Sequence, residues 1–207
     1  MAEPGTPDDP HARLRAQFGA IDIYLFDQLL RGNLRQGMRV LDAGCGGGRN
    51  LVYLLREGFD VTALDASAEP LERVRRLSAA LGRPLAPERL IIGSIAALPF
   101  PDGSFDAVLS NAVLHFAPDE ATFLAMASEL GRVLAPGGLL FARLASSIGI
   151  EDRVVALGDG RYRLPDGSDR FLVDESRLIQ LTQDLGGSLL DPIKTTNVQG
   201  LRCMTTW

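Results

Sequence analysis

The residues best placed to do chemistry open the first βα unit of the chain. Asp42-Ala43-Gly44-Cys45-Gly46-Gly47-Gly48 follows a short β-rich run and precedes a helical one. Glycines there let the backbone turn tightly and approach a ligand without a Cβ in the way, and a following helix directs free N–H groups at it. A dinucleotide fingerprint requires Gly-x-Gly-x-x-Gly, but counting from Gly44 through Gly46 places Arg49 at the last position, which disfavours nicotinamide and flavin cofactors. Asp65 stands at the end of the next β-rich run, about twenty residues past the first glycine. A carboxylate there can accept both hydroxyls of a ribose, or can serve as a cap at a helix entry. Asp42 puts an acid at the mouth of a loop that phosphate binders keep free of negative charge, which suits a ligand carrying an ammonium group.

Four stretches then occur in a recognisable order. Val40-Leu41-Asp42-Ala43-Gly44-Cys45-Gly46-Gly47-Gly48 resembles motif I of the class I S-adenosylmethionine-dependent methyltransferases, and Val61-Thr62-Ala63-Leu64-Asp65 is similar to their motif II. The run from Leu98-Pro99-Phe100-Pro101 to Ala107-Val108 resembles the entry to their fourth strand, and Arg132-Val133-Leu134-Ala135-Pro136-Gly137-Gly138 the turn before their fifth. The resemblance implies S-adenosylmethionine as methyl donor, with S-adenosylhomocysteine as product. It implies Asp42 and the backbone of Gly44, Cys45, Gly46 and Gly48, with Asn50, around the methionine moiety, and Asp65 with Ala66 at the ribose. It further implies an adenine slot at Ser94 and Ile95 and a cofactor wall at Asn111 and Ala112. Ser94 departs from many relatives, which carry an aspartate there; serine accepts a hydrogen bond without charge assistance. Gly48-Arg49-Asn50 also resembles an extension found in methyltransferases of the tellurite-resistance type.

On the acceptor side, His115 follows the fourth strand and is the candidate general base, the alternative being a structural hydrogen-bonding residue. Arg49 is a cation at a helix N-terminus, against the helix dipole; an anionic partner explains it, as does a side chain that simply reaches solvent. Arg143 leaves the fifth strand on the ligand edge and can orient an anionic substrate, and Tyr24, with Phe18 and Phe116, can wall the pocket.

Behind these residues lies a β/α alternation. Residues 38–42, 60–64, 89–92, 106–110 and 139–144 read as strands and the segments between them as helices, the pattern of a parallel sheet covered on both faces. The fold expected is α/β and doubly wound: a mostly parallel, seven-stranded Rossmann-like methyltransferase sheet whose last strand, by the resemblance, is antiparallel. Residues 1–10 read as a disordered tail. Residues 11–207 read as a single domain with an N-terminal helix at 11–31 and a substrate-side insertion at 145–173 that contains a hairpin.

Composition bounds the rest. The chain has 207 residues, 46% hydrophobic, with a formal charge of −5. That balance argues against a phosphate-backbone footprint, so no nucleic-acid partner is expected. No apolar run nears the roughly 18 residues that span a bilayer, and a cytoplasmic location with no membrane partner is expected. Two cysteines and two histidines without ligand spacing predict no disulfide framework and no metal site. The function expected is methyl transfer to a small molecule, with a nicotinamide-dependent oxidoreductase or a cofactor-binding protein without turnover as the alternatives.

Overall fold

A computed structural model describes residues 10–207; the tail expected at 1–10 falls outside the described residues except for Pro10. Where one domain was expected over 11–207, the chain forms two compact units, ending and beginning at Ile92 and Gly93. Its seven principal strands make the mostly parallel sheet of the doubly wound class.

In the first unit, β1 (Arg39–Ala43), β2 (Asp60–Asp65) and β3 (Leu90–Ile92) run parallel, with Asp42 in register with Ala63 and Asp65 with Ile92. Parallel neighbours require crossovers, which α3 (Leu51–Arg56) and α4 (Ala68–Ala80) supply. Val40, Leu41, Val61, Ala63 and Leu64 are buried together with Leu51, Leu54, Leu55, Leu71 and Val74, as strands covered on both faces demand.

The helix expected at 11–31 is broken. It forms α1 (Pro10–Phe18) and α2 (Ile23–Leu30), and Pro10, assigned to the tail, opens α1, where a missing N–H costs nothing. Gly19 turns the chain at φ +66, and a Cβ there would meet Val52 Cγ2 at 2.6 Å. Asp22 then restarts the helix, its Oδ1 accepting from Tyr24 N at 3.0 Å. The apolar stripe through Phe18, Ile21, Leu25 and Leu29 masked this capping signal. Phe18 packs against Phe26 and Tyr53, with centroids 4.9 and 5.4 Å away, so it joins a local aromatic cluster.

In the second unit, β4 (Phe105–Asn111) pairs in parallel with β5 (Leu134–Ser146), which pairs antiparallel with β10 (Arg202–Thr206), and β10 antiparallel with β9 (Lys194–Val198). The last strand is therefore antiparallel. β5 begins five residues before the expected 139, and a register shift between Phe105 and Ala107 accommodates Pro136-Gly137-Gly138 within it. α5 (Glu120–Arg132) starts at an Asp119 cap and buries Phe123, Met126, Ala127 and Leu130; α6 (Glu175–Asp184) starts at an Asp174 cap. The 145–173 segment contains more than one hairpin: β6 (Val155–Gly158), β7 (Arg161–Arg163) and β8 (Asp169–Phe171) form a separate antiparallel sheet. Phe171 stacks on Phe123 at 4.3 Å, fixing this small sheet to α5. No helix of the described residues is long and apolar enough to cross a membrane.

Candidate cofactor and acceptor site

The first unit brings Asp42, the glycine loop and Asp65 together. Gly44, Gly46 and Gly48 have φ of +84, +52 and +77, a region that penalises side chains. The amides of Gly44 and Cys45 both donate to Leu64 O, at 2.8 and 3.0 Å, tying the loop to the end of β2. Gly46 N donates to Asp65 Oδ2 at 3.0 Å, and Ser67 N to Asp65 Oδ1 at 3.3 Å. Asp65 thus braces the loop and caps the entry to α4, while its oxygens keep further lone pairs for a ligand hydroxyl. Ser67 occupies the N-cap position of α4 but makes no side-chain cap bond. A Cβ on Gly46 would meet nothing within 4 Å, whereas one on Gly48 would meet Leu77 and Val74 at 3.1 Å. Gly46 therefore borders open space, and Gly48 permits close helix packing.

Asp42 is only 2% exposed, and its Oδ2 has no hydrogen-bond partner. Burial raises its pKa to about 7, with Arg49 opposing and Asp65 adding to the effect. An unmatched buried acceptor of this kind carries a desolvation cost that only a donor can relieve. Cys45, beside it, is held as a thiol well above its ordinary range, chiefly by burial and then by the charges of Asp42 and Asp65.

Arg49 finds an anionic partner within its own chain. Its Nη2 lies 3.5 Å from Oδ2 of Asp22, which is 4% exposed. Asn50, expected at the cofactor, offers Oδ1 to Asp22 N at 2.9 Å. Arg49 and Asn50 thus tie the start of α2 to the loop's end, and Asp22 is the residue that sequence reasoning missed; its only local signal was a helix-capping aspartate before an apolar run. Tyr24 follows on α2, half-buried, and Ala66 is exposed.

The second unit holds the remaining candidates. Ser94 Oγ accepts from Ala96 N at 3.2 Å in a tight turn closed by Ala97 N on Ser94 O, and Ile95 is buried. Asn111 ends β4 in register with Arg143 on β5. Ala112 follows at φ +62, a left-handed conformation rare for alanine, with its amide donating to Arg143 O at 2.7 Å. Such strain concentrates at ligand clamps, where the surroundings over-determine the backbone.

His115 does not have the geometry of the expected base. It is 5% exposed, and its Nδ1 accepts from Ala145 N at 3.2 Å. Burial, then the nearby Arg170, lowers its pKa to about 4. The ring is neutral, and with Nδ1 used as an acceptor its proton sits on Nε2. The free nitrogen offers an N–H, not a lone pair. Phe116 is exposed, and its ring carries the Arg170 guanidinium at 4.9 Å.

Residues 41–142 match the family model described as a methyltransferase domain. Among curated relatives, malonyl-acyl-carrier-protein O-methyltransferase of Erwinia billingiae is 42% identical over 113 residues, covering 54% of this chain and 41% of that protein. The 2-methyl-6-phytyl-1,4-hydroquinone methyltransferase of Synechocystis is 36% identical over 126 residues, 60% of this chain and 34% of its own. The match thus spans well under two thirds of these relatives. Among solved structures, a Burkholderia thailandensis 1,6-didemethyltoxoflavin-N1-methyltransferase with bound S-adenosylhomocysteine superposes with a TM-score of 0.59 at 22% identity, over 100% of this chain and 91% of that one. Four ordered motifs, the sheet and the family model agree on a methyltransferase domain over residues 41–142.

Proposed function

We propose that this protein transfers a methyl group from S-adenosylmethionine to a small-molecule acceptor. The observation that carries the reading is the buried, unpartnered Oδ2 of Asp42 beside the open face of Gly46. An aminoacyl ammonium supplies the donor that this oxygen lacks. A phosphate would meet a buried acid instead, which separates this loop from nucleotide-phosphate cradles.

In the first unit, Asp42 receives the ammonium, the glycine-loop backbone approaches the methionine moiety, and Asp65 accepts from ribose hydroxyls while braced by Gly46 N and Ser67 N. In the second, Ser94, Ile95, Asn111 and Ala112 keep the roles that the family resemblance implies. When bound, the donor's sulfonium supplies a methyl group already activated for in-line displacement. What the chain contributes is alignment and exclusion of water. His115 contributes a hydrogen-bond donor through Nε2–H, which suits an acceptor oxygen or nitrogen that arrives deprotonated. The small acceptor is supported by the hydroquinone methyltransferase among the relatives.

Calorimetric titration with S-adenosylhomocysteine and S-adenosylmethionine tests the reading. One-to-one binding with affinity in the micromolar range is expected; absence of binding by both overturns it.

A further inference from the structure

We propose that Asp22 is a positioning residue of the donor site: its carboxylate holds the Arg49 guanidinium off Asp42 and so leaves Asp42 to a ligand ammonium. This rests on the methyl-transfer reading above and adds to it the residue that keeps the ammonium seat open.

The first unit buries two acids, Asp22 and Asp42, and Arg49 acts on both. Its Nη2 lies 3.5 Å from Asp22 Oδ2, and its charge opposes the effect of burial at Asp42. Yet Asp42 Oδ2 is enclosed and has no hydrogen-bond partner. A buried carboxylate without a donor draws a mobile cation within reach, and the Arg49 side chain, 52% exposed, has room to turn. The guanidinium nevertheless stays with Asp22.

Asp22 is fixed in place from both sides. Its N–H donates to Asn50 Oδ1 at 2.9 Å, which ties it to the residue that follows Arg49. Its Oδ1 accepts from Tyr24 N at 3.0 Å as the cap of α2. A cap needs one side-chain oxygen, and Oδ2 is the one turned to Arg49. The carboxylate cannot turn away without uncapping α2, and the guanidinium cannot move to Asp42 without leaving a buried charge uncompensated. The charges felt at Asp42 are those of Arg49, at the entry to α3, and of Asp65, at the end of β2. Cys45 beside it stays a neutral thiol. An arriving ammonium therefore meets an acid that no donor among the described residues satisfies.

Asparagine separates the two roles of Asp22, because it caps a helix as well as aspartate does and carries no charge. The test compares wild type, Asp22→Asn, Arg49→Gln and the double variant. NMR of labelled carboxyl carbons follows Asp42 in the free protein through pH, with Asp42→Asn for assignment. Calorimetry measures S-adenosylhomocysteine binding at pH 8, above the Asp42 midpoint of about 7. In Asp22→Asn the released guanidinium should pair with Asp42 and lower its midpoint by about one pH unit or more. S-adenosylhomocysteine should then bind about 10-fold more weakly, the low end for a charge-assisted bond because Arg49 is half in solvent. Adding Arg49→Gln removes the competitor. The double variant should return to within about threefold of wild-type affinity and raise the midpoint again, which loss of the α2 cap could not produce. The proposal is overturned if the midpoint in Asp22→Asn stays that of wild type, or if the double variant binds no better than Asp22→Asn. A tenfold or larger loss in Arg49→Gln alone overturns it too, since that would put Arg49 on the ligand. Failure of wild type to bind S-adenosylhomocysteine would remove the methyl-transfer reading, while the NMR titration still decides whether Asp22 holds Arg49 off Asp42.

Discussion

Cofactor affinity should depend on pH through Asp42. In the free protein this carboxyl titrates near 7 because it is buried; an ammonium against it favours the ionised form, so binding below that pH must expel a proton. At about pH 8 most of the population is ionised, and at about pH 5 only ~1% is. The dissociation constant for S-adenosylhomocysteine should therefore rise ~100-fold between those limits, about 2.7 kcal/mol, with a limiting slope of tenfold per pH unit. Calorimetry in buffers of differing ionisation enthalpy should count about one proton released at pH 5.5. Asp42→Asn should bind more weakly at pH 8 and show no slope. A flat wild-type curve, or an Asp42→Asn curve that keeps the slope, would refute the assignment of the ammonium to Asp42.

The same group predicts the opposite effect on stability. Its pKa in the folded protein lies above the ordinary 3.8, so its contribution is fully present below about pH 4 and is lost as pH rises through about 7. Asp42→Asn should raise the Tm of the free protein at pH 8, corresponding to ~1–3 kcal/mol, and leave it nearly unchanged at pH 4. A variant more stable yet worse at binding marks a charge kept for a ligand.

His115 titrates in the other direction: its pKa is lowered to about 4, so the stability it contributes is present above about pH 6.5 and lost as pH falls towards 4, by up to ~3 kcal/mol. Urea unfolding of His115→Gln should show that part of the pH dependence flattened, and its pH–rate profile should keep the wild-type acid limb; disappearance of a limb near pH 6–7 would restore His115 as the base. Gly46 and Gly48 should separate binding from folding. Gly48→Ala meets Leu77 and Val74 at 3.1 Å and should cost ~1–3 kcal/mol in urea. Gly46→Ala has open space and should cost only ~1 kcal/mol, yet weaken S-adenosylhomocysteine at least tenfold; the reverse order of effects would show the cradle to be misplaced.

Much of this was legible in the sequence because it is local. Glycines after a strand, an acid at each of two strand ends, and β/α alternation are short-range patterns, and their physical consequences, a positive-φ loop and a parallel sheet, follow without knowing the packing. The doubly wound sheet, its antiparallel last strand and the convergence of Asp42, Gly46 and Asp65 could be reasoned from that level. The break at Gly19–Asp22 was also local, but an apolar stripe of helical period outweighed a single capping aspartate.

Tertiary structure decided what depends on partners distant in sequence. Arg49 meets Asp22, 27 residues away, which resolves the cation at a helix start without any ligand. His115 takes its tautomer from Ala145 N, 30 residues away, and that single bond turns a candidate base into a donor. Arg143 gains Asn111, Thr206 and Lys194 only through strand register, which fixes who faces whom across a sheet and leaves no trace in any one strand. The glycine loop points to the cofactor class from sequence because a ligand-shaped backbone is written locally; which side chains face one another across the sheet is decided only by register.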